Sequence, residues 1–348
     1  MTTFSLSPSG LQLAPTSLRD VPGLARRAGL ARVLVKLENE RPLGNFKVLG
    51  GMYAGLRLLA DHAGLAMAEL VDGREAPRNL PRLVCASDGN HGLSVAAAAR
   101  AAGSPATIYL HTGVAAGRAG RIARLGASII WVAGTYDDAV EAAAAAAAAG
   151  AGKGLLVPDT TCDTDNAAVA LVMEGYAVLT GELRDQLGRM DAQLSHSFVQ
   201  AGVGGLAAAV ASGLGVDGGA LIVVEPEAAA CVGRALAAGK PELVPGDLAT
   251  SAEMLSCGLA SAPALAILKR HGARPVAVGE DCLAQAIEAL AADAAVETTS
   301  SGAAGLAGLL HIAMDPVLRP AHGLDRDSTA LVIVTEGARD PGNETRFP

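Results

Sequence analysis

The sequence predicts an α/β protein in which mostly parallel, twisted sheets carry helices on both faces. Short apolar runs rich in β-branched residues alternate with long Ala-rich stretches along the 348 residues. The runs are largely apolar and do not alternate strictly with polar positions, which is typical of strands buried on both faces. Strand–helix alternation of this kind indicates largely parallel sheets, and the chain length favours two lobes.

Seven segments have the composition of strands, at 34–37, 83–86, 107–110, 129–132, 198–200, 221–224 and 331–335. Stretches such as 92–102 and 252–271 are long enough for helices. The eight alanines at 142–149 predict an ordinary packed helix. Polar segments that contain Gly or Pro, near 72–81 and 241–247, predict surface loops.

Composition and charge exclude several classes of partner. The formal net charge is −8 and no long Lys/Arg cluster is present, so nucleic acid is not expected as the main partner. Residues 1–10 lack the pattern of a secretory signal, and no segment has the composition of a membrane-spanning helix. Five cysteines without a close pair indicate neither a disulfide framework nor a Cys-x-x-Cys metal site. We therefore expect a reduced, cytoplasmic protein without a metal.

A lysine opens a predicted helix in segment 41–51, Arg-Pro-Leu-Gly-Asn-Phe-Lys-Val-Leu-Gly-Gly. Lys47 follows a turn and precedes two glycines by about one helical turn. Lysine is unusual at a helix start because the helix dipole places positive potential there. That potential would favour loss of the proton and make the amine a nucleophile suited to Schiff-base formation. The alternative is a solvated lysine.

Segment 85–92, Cys-Ala-Ser-Asp-Gly-Asn-His-Gly, joins a predicted strand to a predicted helix. Such a junction exposes backbone N–H groups and the positive end of a helix, which makes it a candidate anion site. Ser87, Asp88 and Asn90 are aimed into the same crevice, and three capping residues exceed what one helix needs. The alternative is that they only cap the helix and the turn. His91 by itself is more typical of a structural histidine.

A third segment, 198–210, reads strand, glycine loop, helix, with Gly202, Gly204 and Gly205 in the loop. A phosphate is the natural ligand of such a loop. The spacing lacks the third glycine of a dinucleotide fingerprint, yet Glu225 follows about 20 residues later, as in that fingerprint. A nicotinamide-dependent dehydrogenase therefore remains an alternative.

Two more polar groups end predicted strands. Asp159 follows Val-Pro at 157–158, and Thr335 precedes Glu336 and Gly337 at the end of the last strand. Polar groups at the carboxyl ends of parallel strands line the crevice in which α/β proteins bind ligands. Asp159 could instead cap the segment that follows it.

Taken together, these segments resemble the tryptophan-synthase-β-like group of pyridoxal-phosphate enzymes (fold type II) over essentially the whole chain. Within that group the chain looks most like the diaminopropionate ammonia-lyases. Serine/threonine dehydratases commonly have Phe-Lys-x-Arg-Gly-Ala, where this chain has Phe-Lys-Val-Leu-Gly-Gly, and a small or apolar residue where it has Asp88. The chain departs from the lyases at Asn45, where Ser or Ala is common before Phe-Lys.

The resemblance implies that pyridoxal 5'-phosphate is the cofactor and that Lys47 forms the Schiff base with it. Asn90 would contact the ring hydroxyl, and Thr335 would face the pyridine nitrogen. The phosphate would be held by backbone N–H groups of the glycine loop, which consists of Gly202, Val203, Gly204 and Gly205.

The substrate side of the site is implied in the same way. Ser87, Asp88 and His91 would bind the amino-acid substrate, with Ser87 and nearby N–H groups on its carboxylate. Asp88 and Asp159 would attract a second, cationic amine at Cβ and move protons during elimination.

The function that follows from the resemblance is β-elimination of 2,3-diaminopropionate, or of a similar β-substituted amino acid, to pyruvate and ammonia. The alternatives are a serine/threonine dehydratase or β-replacement synthase of the same fold, the dehydrogenase named above, and a non-enzymatic binding protein. The resemblance also implies a homodimer and two lobes. We expect the larger lobe to comprise 1–50 and 160–348, and the smaller lobe, which carries the Asp88–Asn90 loop, to comprise 51–159.

Overall fold

The structure is a computed structural model that describes residues 5–7, 10–72, 79–87, 89–149 and 154–338. The strands of the described residues are β1 (Ser5–Ser7), β2 (Gly10–Gln12), β3 (Leu18–Asp20), β4 (Arg32–Leu37), β5 (Arg82–Ala86), β6 (Ala106–His111), β7 (Ser128–Val132), β8 (Gly154–Leu156), β9 (His196–Gln200), β10 (Ala220–Pro226), β11 (Arg274–Val278) and β12 (Thr329–Val334).

Helices follow most of these strands, as the sequence predicts. They are α1 (Pro22–Ala28), α2 (Lys47–Ala63), α3 (Met67–Asp72), α4 (Asn90–Ala102), α5 (Ala116–Arg124), α6 (Tyr136–Ala149), α7 (Ala167–Gly175), α8 (Ala177–Arg189), α9 (Gly205–Leu214), α10 (Cys231–Ala238), α11 (Ala262–Arg270), α12 (Glu280–Ala294), α13 (Ser300–Met314) and α14 (Leu318–Ala321). Among the described residues, none of these helices is both long and apolar enough to cross a membrane.

The larger sheet has six strands in the order β11-β10-β9-β12-β4-β3. All neighbours are parallel except β3, which runs antiparallel to β4 at one edge. Its central strands are almost wholly buried because α1, α12 and α13 cover one face and α9 and α10 the other. The continuous apolar runs in the sequence are explained by this double cover.

The smaller sheet has four parallel strands in the order β7-β6-β5-β8. Leu83 and Cys85 of β5 face the main core with α4, whereas Val84 and Ala86 face a separate cluster with the Ala-rich α6. Successive residues of a strand point to opposite faces, so β5 needs apolar residues at all four positions from 83 to 86. The mostly parallel α/β fold is confirmed, while the lobe boundaries at 50 and 160 stay a prediction.

Most predicted elements are found within a few residues of their expected bounds. Segment 252–271, which is long enough for helices, contains the α-helix Ala262–Arg270 and a short 3₁₀ turn at Glu253–Leu255. The α-helix begins late in the segment because Pro263 fits only the first turn of a helix. The loop at 241–247 is irregular as expected. The other predicted loop lies partly outside the described residues, which omit 73–78.

Two adjacent glycines let α2 lie between its neighbours. A Cβ on Gly50 would stand 2.6 Å from the Tyr176 ring and 2.7 Å from the carbonyl oxygen of Val172 in α7. A Cβ on Gly51 would stand 2.6 Å from the Cβ of Ser94 in α4. Neither glycine could carry a side chain without a shift of the neighbouring helix. This close packing on two sides fixes the first turn of α2, where Lys47 lies.

Candidate active site

Polar groups from both sheets meet in one cleft at the carboxyl ends of β5, β9 and β12. The cleft contains about 820 Å³ free of protein atoms, including the part open to solvent. Asp88 lies outside the described residues. The other residues predicted for the site all line the cleft: Lys47, Ser87, Asn90, His91, Asp159, Gly202, Val203, Gly204, Gly205 and Thr335. The four motifs therefore come together in space, and the roles given to their residues stay predictions.

Lys47 is the first residue of α2 and is held in place by the turn before it. The Asn45 side chain accepts a hydrogen bond from the Lys47 backbone N–H at 3.0 Å and donates one to the carbonyl of Leu43 at 3.0 Å. The N–H of Phe46 donates to the carbonyl of Thr335 at 3.0 Å. The departure at Asn45 thus has a local reason, because its side chain closes the turn that leads into α2. Lys47 is tied by Phe46 to the end of β12.

The amine of Lys47 forms an ion pair with a carboxylate from the other side of the cleft. Its Nζ lies 2.6 Å from Oδ2 of Asp159, and the hydroxyl of Tyr136 donates to Oδ1 of Asp159 at 2.5 Å. Burial disfavours the charged amine and is the largest single effect. The charge and hydrogen bond of Asp159, together with Tyr176 and Cys257, outweigh it, so the pKa of Lys47 lies above its ordinary value. Burial likewise opposes ionisation of Asp159, yet Lys47 holds the pKa of that carboxyl well below its usual range. The easier loss of a proton expected for Lys47 is therefore wrong for this arrangement.

The loop after β5 is organised by Ser87. Its hydroxyl oxygen accepts hydrogen bonds from the N–H groups of Gly89 and Gly92, both at 2.8 Å. Gly89 has a φ of 145°, a conformation that favours glycine. Ser87 therefore caps this turn, which leaves only its own hydroxyl hydrogen for a ligand in the cleft. Asn90 begins α4, and its side-chain amide donates to the carboxylate of Glu336.

His91 is a buried histidine that braces the segment before Asp159. Its Nε2 lies 2.7 Å from the carbonyl oxygen of Val157, and burial lowers the pKa of the ring below its ordinary value. A neutral ring that donates from Nε2 fits this contact. Its Nδ1 has no partner in the part of the chain that the structure describes. The contacts support the structural interpretation of His91 more directly than a substrate contact.

The glycine loop forms a cradle at the start of α9. Gly204 has a φ of 95°, and Gly205 is the first residue of the helix. The first turn of a helix leaves N–H groups without helical partners, and the helix dipole adds positive potential there. The nearest atom to a Cβ on Gly205 would be 3.9 Å away on the Tyr176 ring, so the space beside this residue belongs to the cleft. The cradle has the shape and donors that suit a phosphate.

Several cleft residues were missed from the sequence. Gln200 ends β9 and donates to the hydroxyl of Thr335 at 3.0 Å, and Glu336 accepts from Asn90 and from the hydroxyl of Thr299. Tyr136 holds Asp159 as described above. The available signal for Gln200 was a polar residue directly after the apolar pair Phe198 and Val199 at the end of a strand. Glu336 stands next to Thr335, which was already predicted for the site.

The dehydrogenase alternative depends on Glu225. The carboxylate of this residue already forms hydrogen bonds within the protein. Its carboxylate accepts hydrogen bonds from the N–H groups of Val232 at 2.6 Å and Gly233 at 2.7 Å, at the start of α10. The side chain is buried, and burial raises the pKa of the carboxyl to about 8. Glu225 caps a helix and offers no free oxygen to a ribose, so the contacts disfavour this alternative.

The site therefore combines a lysine amine, a phosphate cradle at a helix start and a buried threonine hydroxyl. This set of donors fits a phosphorylated aldehyde with a ring nitrogen. Lys47 would supply the covalent anchor, the segment from Gly202 to Gly205 the phosphate N–H groups, and Thr335 the contact to the ring nitrogen.

Comparison with known proteins agrees with this fit. Residues 11–336 match the family model described as "Pyridoxal-phosphate dependent enzyme". The chain is 32% identical to the diaminopropionate ammonia-lyase of Escherichia coli K12 over 341 residues, which cover 94% of this chain and 85% of that enzyme. It is 27% identical to the human L-serine dehydratase/L-threonine deaminase over 298 residues, which cover 84% of this chain and 81% of that one.

A solved structure gives the same picture in three dimensions. The structure of the Escherichia coli diaminopropionate ammonia-lyase in complex with an aminoacrylate-PLP azomethine reaction intermediate aligns with a TM-score of 0.84 and 30% identity. The alignment covers 96% of this chain and 87% of that one. The fold type II architecture and the cofactor predicted from the sequence are confirmed. The chain belongs to the family of pyridoxal-phosphate dependent enzymes.

Proposed function

We propose that this protein eliminates ammonia from 2,3-diaminopropionate, so that one substrate and one water yield pyruvate and two molecules of ammonia. The observation that carries the proposal is the carboxylate of Asp159, held ionised between Lys47 and Tyr136 in the cleft that contains the phosphate cradle. A second carboxylate, Glu336, lines the same cleft. Negative charge beside Cβ suits a substrate that carries a second ammonium group.

Pyridoxal phosphate, when bound, supplies a carbonyl that condenses with amino groups and a ring that takes up electron density as the Cα–H bond breaks. Lys47 would anchor the group, and its released amine would accept the Cα proton. The N–H groups of the glycine loop would hold the phosphate, and Asn90 and Thr335 would orient the ring. Asp159, whose Oδ2 lies 2.6 Å from Nζ of Lys47, would favour the protonated form of this amine.

Asp159 has a distinct task at the leaving group. In the cofactor-free protein Lys47 keeps the pKa of this carboxyl low. Once the amine of Lys47 is engaged, a β-ammonium on the substrate would supply the same charge, so Asp159 would remain an anion and a poor proton donor. A β-ammonium already carries the proton that lets it leave as ammonia. Asp159 would keep that nitrogen protonated and in place, whereas a serine hydroxyl would need an acid to leave as water.

Asp88 would act on the substrate as a second base. This assignment is supported by the resemblance and by its position in the sequence, between Ser87 in the cleft and Gly89. A base on the face opposite Lys47 would let the protein process both enantiomers of the substrate.

A serine/threonine dehydratase is the second candidate. It is favoured by the human relative, which is named for those activities. The two candidates differ in their products, since diaminopropionate releases two ammonia molecules per pyruvate and serine releases one.

We further propose a cytoplasmic homodimer with the two lobes given above. The five free cysteines suit a reducing compartment, and the dimer is supported by the resemblance to the family.

The test is a substrate panel with the purified holoenzyme. D- and L-diaminopropionate, D- and L-serine and L-threonine are each assayed for keto acid and for ammonia. We expect the highest kcat/KM with diaminopropionate and an ammonia-to-pyruvate ratio of two, from the balanced reaction. Faster turnover of serine would assign the protein to the dehydratases.

A further inference from the structure

Gln200 lies at the end of β9 with its amide group locked in one orientation. The side chain is 2% exposed. Its Nε2 lies 3.1 Å from the carbonyl oxygens of Ser301 and Gly302 and 3.0 Å from that of Ile333. A 180° rotation of the amide would place Oε1 against three oxygens, which is electrostatically unfavourable. The nitrogen must therefore face this group of carbonyls.

This orientation leaves the amide oxygen of Gln200, Oε1, without a hydrogen-bond partner in the part of the chain that the structure describes. Buried polar atoms are paired in most proteins, and an exception calls for a reason. A hydrophobic residue of similar size would avoid the unpaired oxygen, so the position of the nitrogen is the feature to explain.

The fourth neighbour of Nε2 is the hydroxyl oxygen of Thr335, at 3.0 Å. The amide nitrogen has two hydrogens for these four oxygens and cannot accept a hydrogen bond, so the Thr335 hydroxyl cannot donate toward Gln200. Its own hydrogen can then point to the carbonyl of Ser301, at 3.5 Å, or into the cleft. The carbonyl of Ser301 lies at the limit of hydrogen-bond distance, so an acceptor at ordinary distance in the cleft would take this hydrogen instead.

We infer that Gln200 is a positioning residue that fixes the direction of the Thr335 hydroxyl, so that this group donates a hydrogen bond to the pyridine nitrogen of the cofactor. The inference rests on the orientation of the cofactor in the proposed function. A ring nitrogen that accepts a hydrogen bond carries no proton. The ring is then a milder electron sink, which suits a reaction in which a leaving group on Cβ takes the electrons.

The effect can be read directly at the ring nitrogen. Holoenzyme is reconstituted with pyridoxal phosphate that carries ¹⁵N in the ring, and the ¹⁵N chemical shift reports whether this nitrogen is protonated or hydrogen-bonded. Three variants are compared with the unmodified protein: Gln200→Met, Thr335→Val and the double variant. Met has a similar volume and no hydrogen to donate.

We expect Gln200→Met to move the ¹⁵N shift because the carbonyl of Ser301 then loses its donor Nε2, and the hydroxyl of Thr335 can turn toward this carbonyl to replace it. In the Thr335→Val background, adding Gln200→Met should not change the ¹⁵N shift any further, because Gln200 acts on the ring nitrogen only through the Thr335 hydroxyl. The cofactor dissociation constant should rise by about tenfold or less, because one hydrogen bond is at stake.

Three results would overturn the inference. An unchanged shift in Gln200→Met, with a clear change in Thr335→Val, would leave the cofactor orientation standing and remove the role of Gln200. Additive changes in the double variant would show that Gln200 acts by another route. No change in Thr335→Val would overturn both this inference and the proposed orientation of the cofactor.

A second variant keeps the test decisive if Gln200→Met does not fold. Gln200→Asn retains an amide at the end of β9, but it is one methylene too short to reach the hydroxyl of Thr335. The same shift is expected, and an unchanged shift would again remove the role of Gln200.

Discussion

Replacing Gly205 by alanine separates cofactor binding from folding more cleanly than any other change in the cleft. The added Cβ would lie 3.9 Å from its nearest neighbour, an ordinary contact distance, so the protein itself can accommodate it. Gly205 begins α9, where alanine is at least as favourable as glycine. We therefore expect the free energy of unfolding of the cofactor-free protein to change by less than about 0.5 kcal/mol.

The cofactor should respond very differently, because the same Cβ would project into the space proposed for its phosphate. Displacing the phosphate from about two backbone donors would cost at least about 3 kcal/mol, since hydrogen bonds to charged groups contribute about 1.5–3 kcal/mol each. The dissociation constant of pyridoxal phosphate should then rise at least about 100-fold. The assay is a titration of cofactor-free protein, followed by the absorbance of the bound cofactor.

Two matched variants define what this result means. Gly181→Ala makes the same change in α8, where a Cβ would meet nothing within 4 Å, and should leave cofactor affinity unchanged. Gly204→Ala forces a φ of 95° on alanine and should destabilise the protein by about 1–3 kcal/mol. If Gly205→Ala bound the cofactor as tightly as Gly181→Ala, the phosphate would lie elsewhere and the reasoning would be refuted.

Three further predictions concern the reacting groups. Lys47→Ala should abolish elimination and the visible absorbance of lysine-bound cofactor together, and a borohydride-reducible adduct in this variant would assign the anchor to another lysine. Asp159→Asn should lower the pKa of Lys47, because burial then acts without the opposing charge. In the cofactor-free protein it should cost about 2–3 kcal/mol at pH 7. The pair contributes fully above the unfolded pKa of Asp159, so this deficit should shrink in urea unfolding below about pH 4, and a constant deficit would contradict the ion pair. Asp88→Asn should keep the cofactor spectrum and lose about 10²–10⁴-fold in elimination from one enantiomer of diaminopropionate, whereas equal small losses would reduce Asp88 to a capping residue.

Local motifs made most of the site predictable. The glycine loop and the loop after β5 each lie between a strand and a helix, and such junctions place N–H groups at the edge of a parallel sheet. The strands were recognisable because helices cover both faces of each sheet. Such strands appear in the sequence as continuous apolar runs instead of alternating apolar and polar residues. Within 252–271, Pro263 is the local signal that places the first turn of the helix.

Long-range pairs account for what the sequence could not reveal. The helix-start argument for Lys47 gave the wrong direction for its pKa, because the carboxylate that decides it comes from Asp159, 112 positions along the chain. Gln200 looked like a strand residue, and its task is visible only where β9, β12 and α13 meet. Ser87 lines the cleft, as the sequence predicts. Its hydrogen bonds from the N–H groups of Gly89 and Gly92 depend on how the loop closes, which the sequence does not reveal.

The charge balance of the cleft connects these findings to substrate choice. Asp159 is stabilised as an anion mainly by the ammonium of Lys47, and that ammonium is lost whenever the amine is bound to the cofactor or acts as a neutral base. At that moment the carboxylate is left with the hydroxyl of Tyr136 and no cation. A β-ammonium on the substrate would replace the missing charge at the same place, and the hydroxyl of serine would not. Under the proposed function, the pair of Lys47 and Asp159 therefore selects a diamino acid because the reaction itself removes the internal cation.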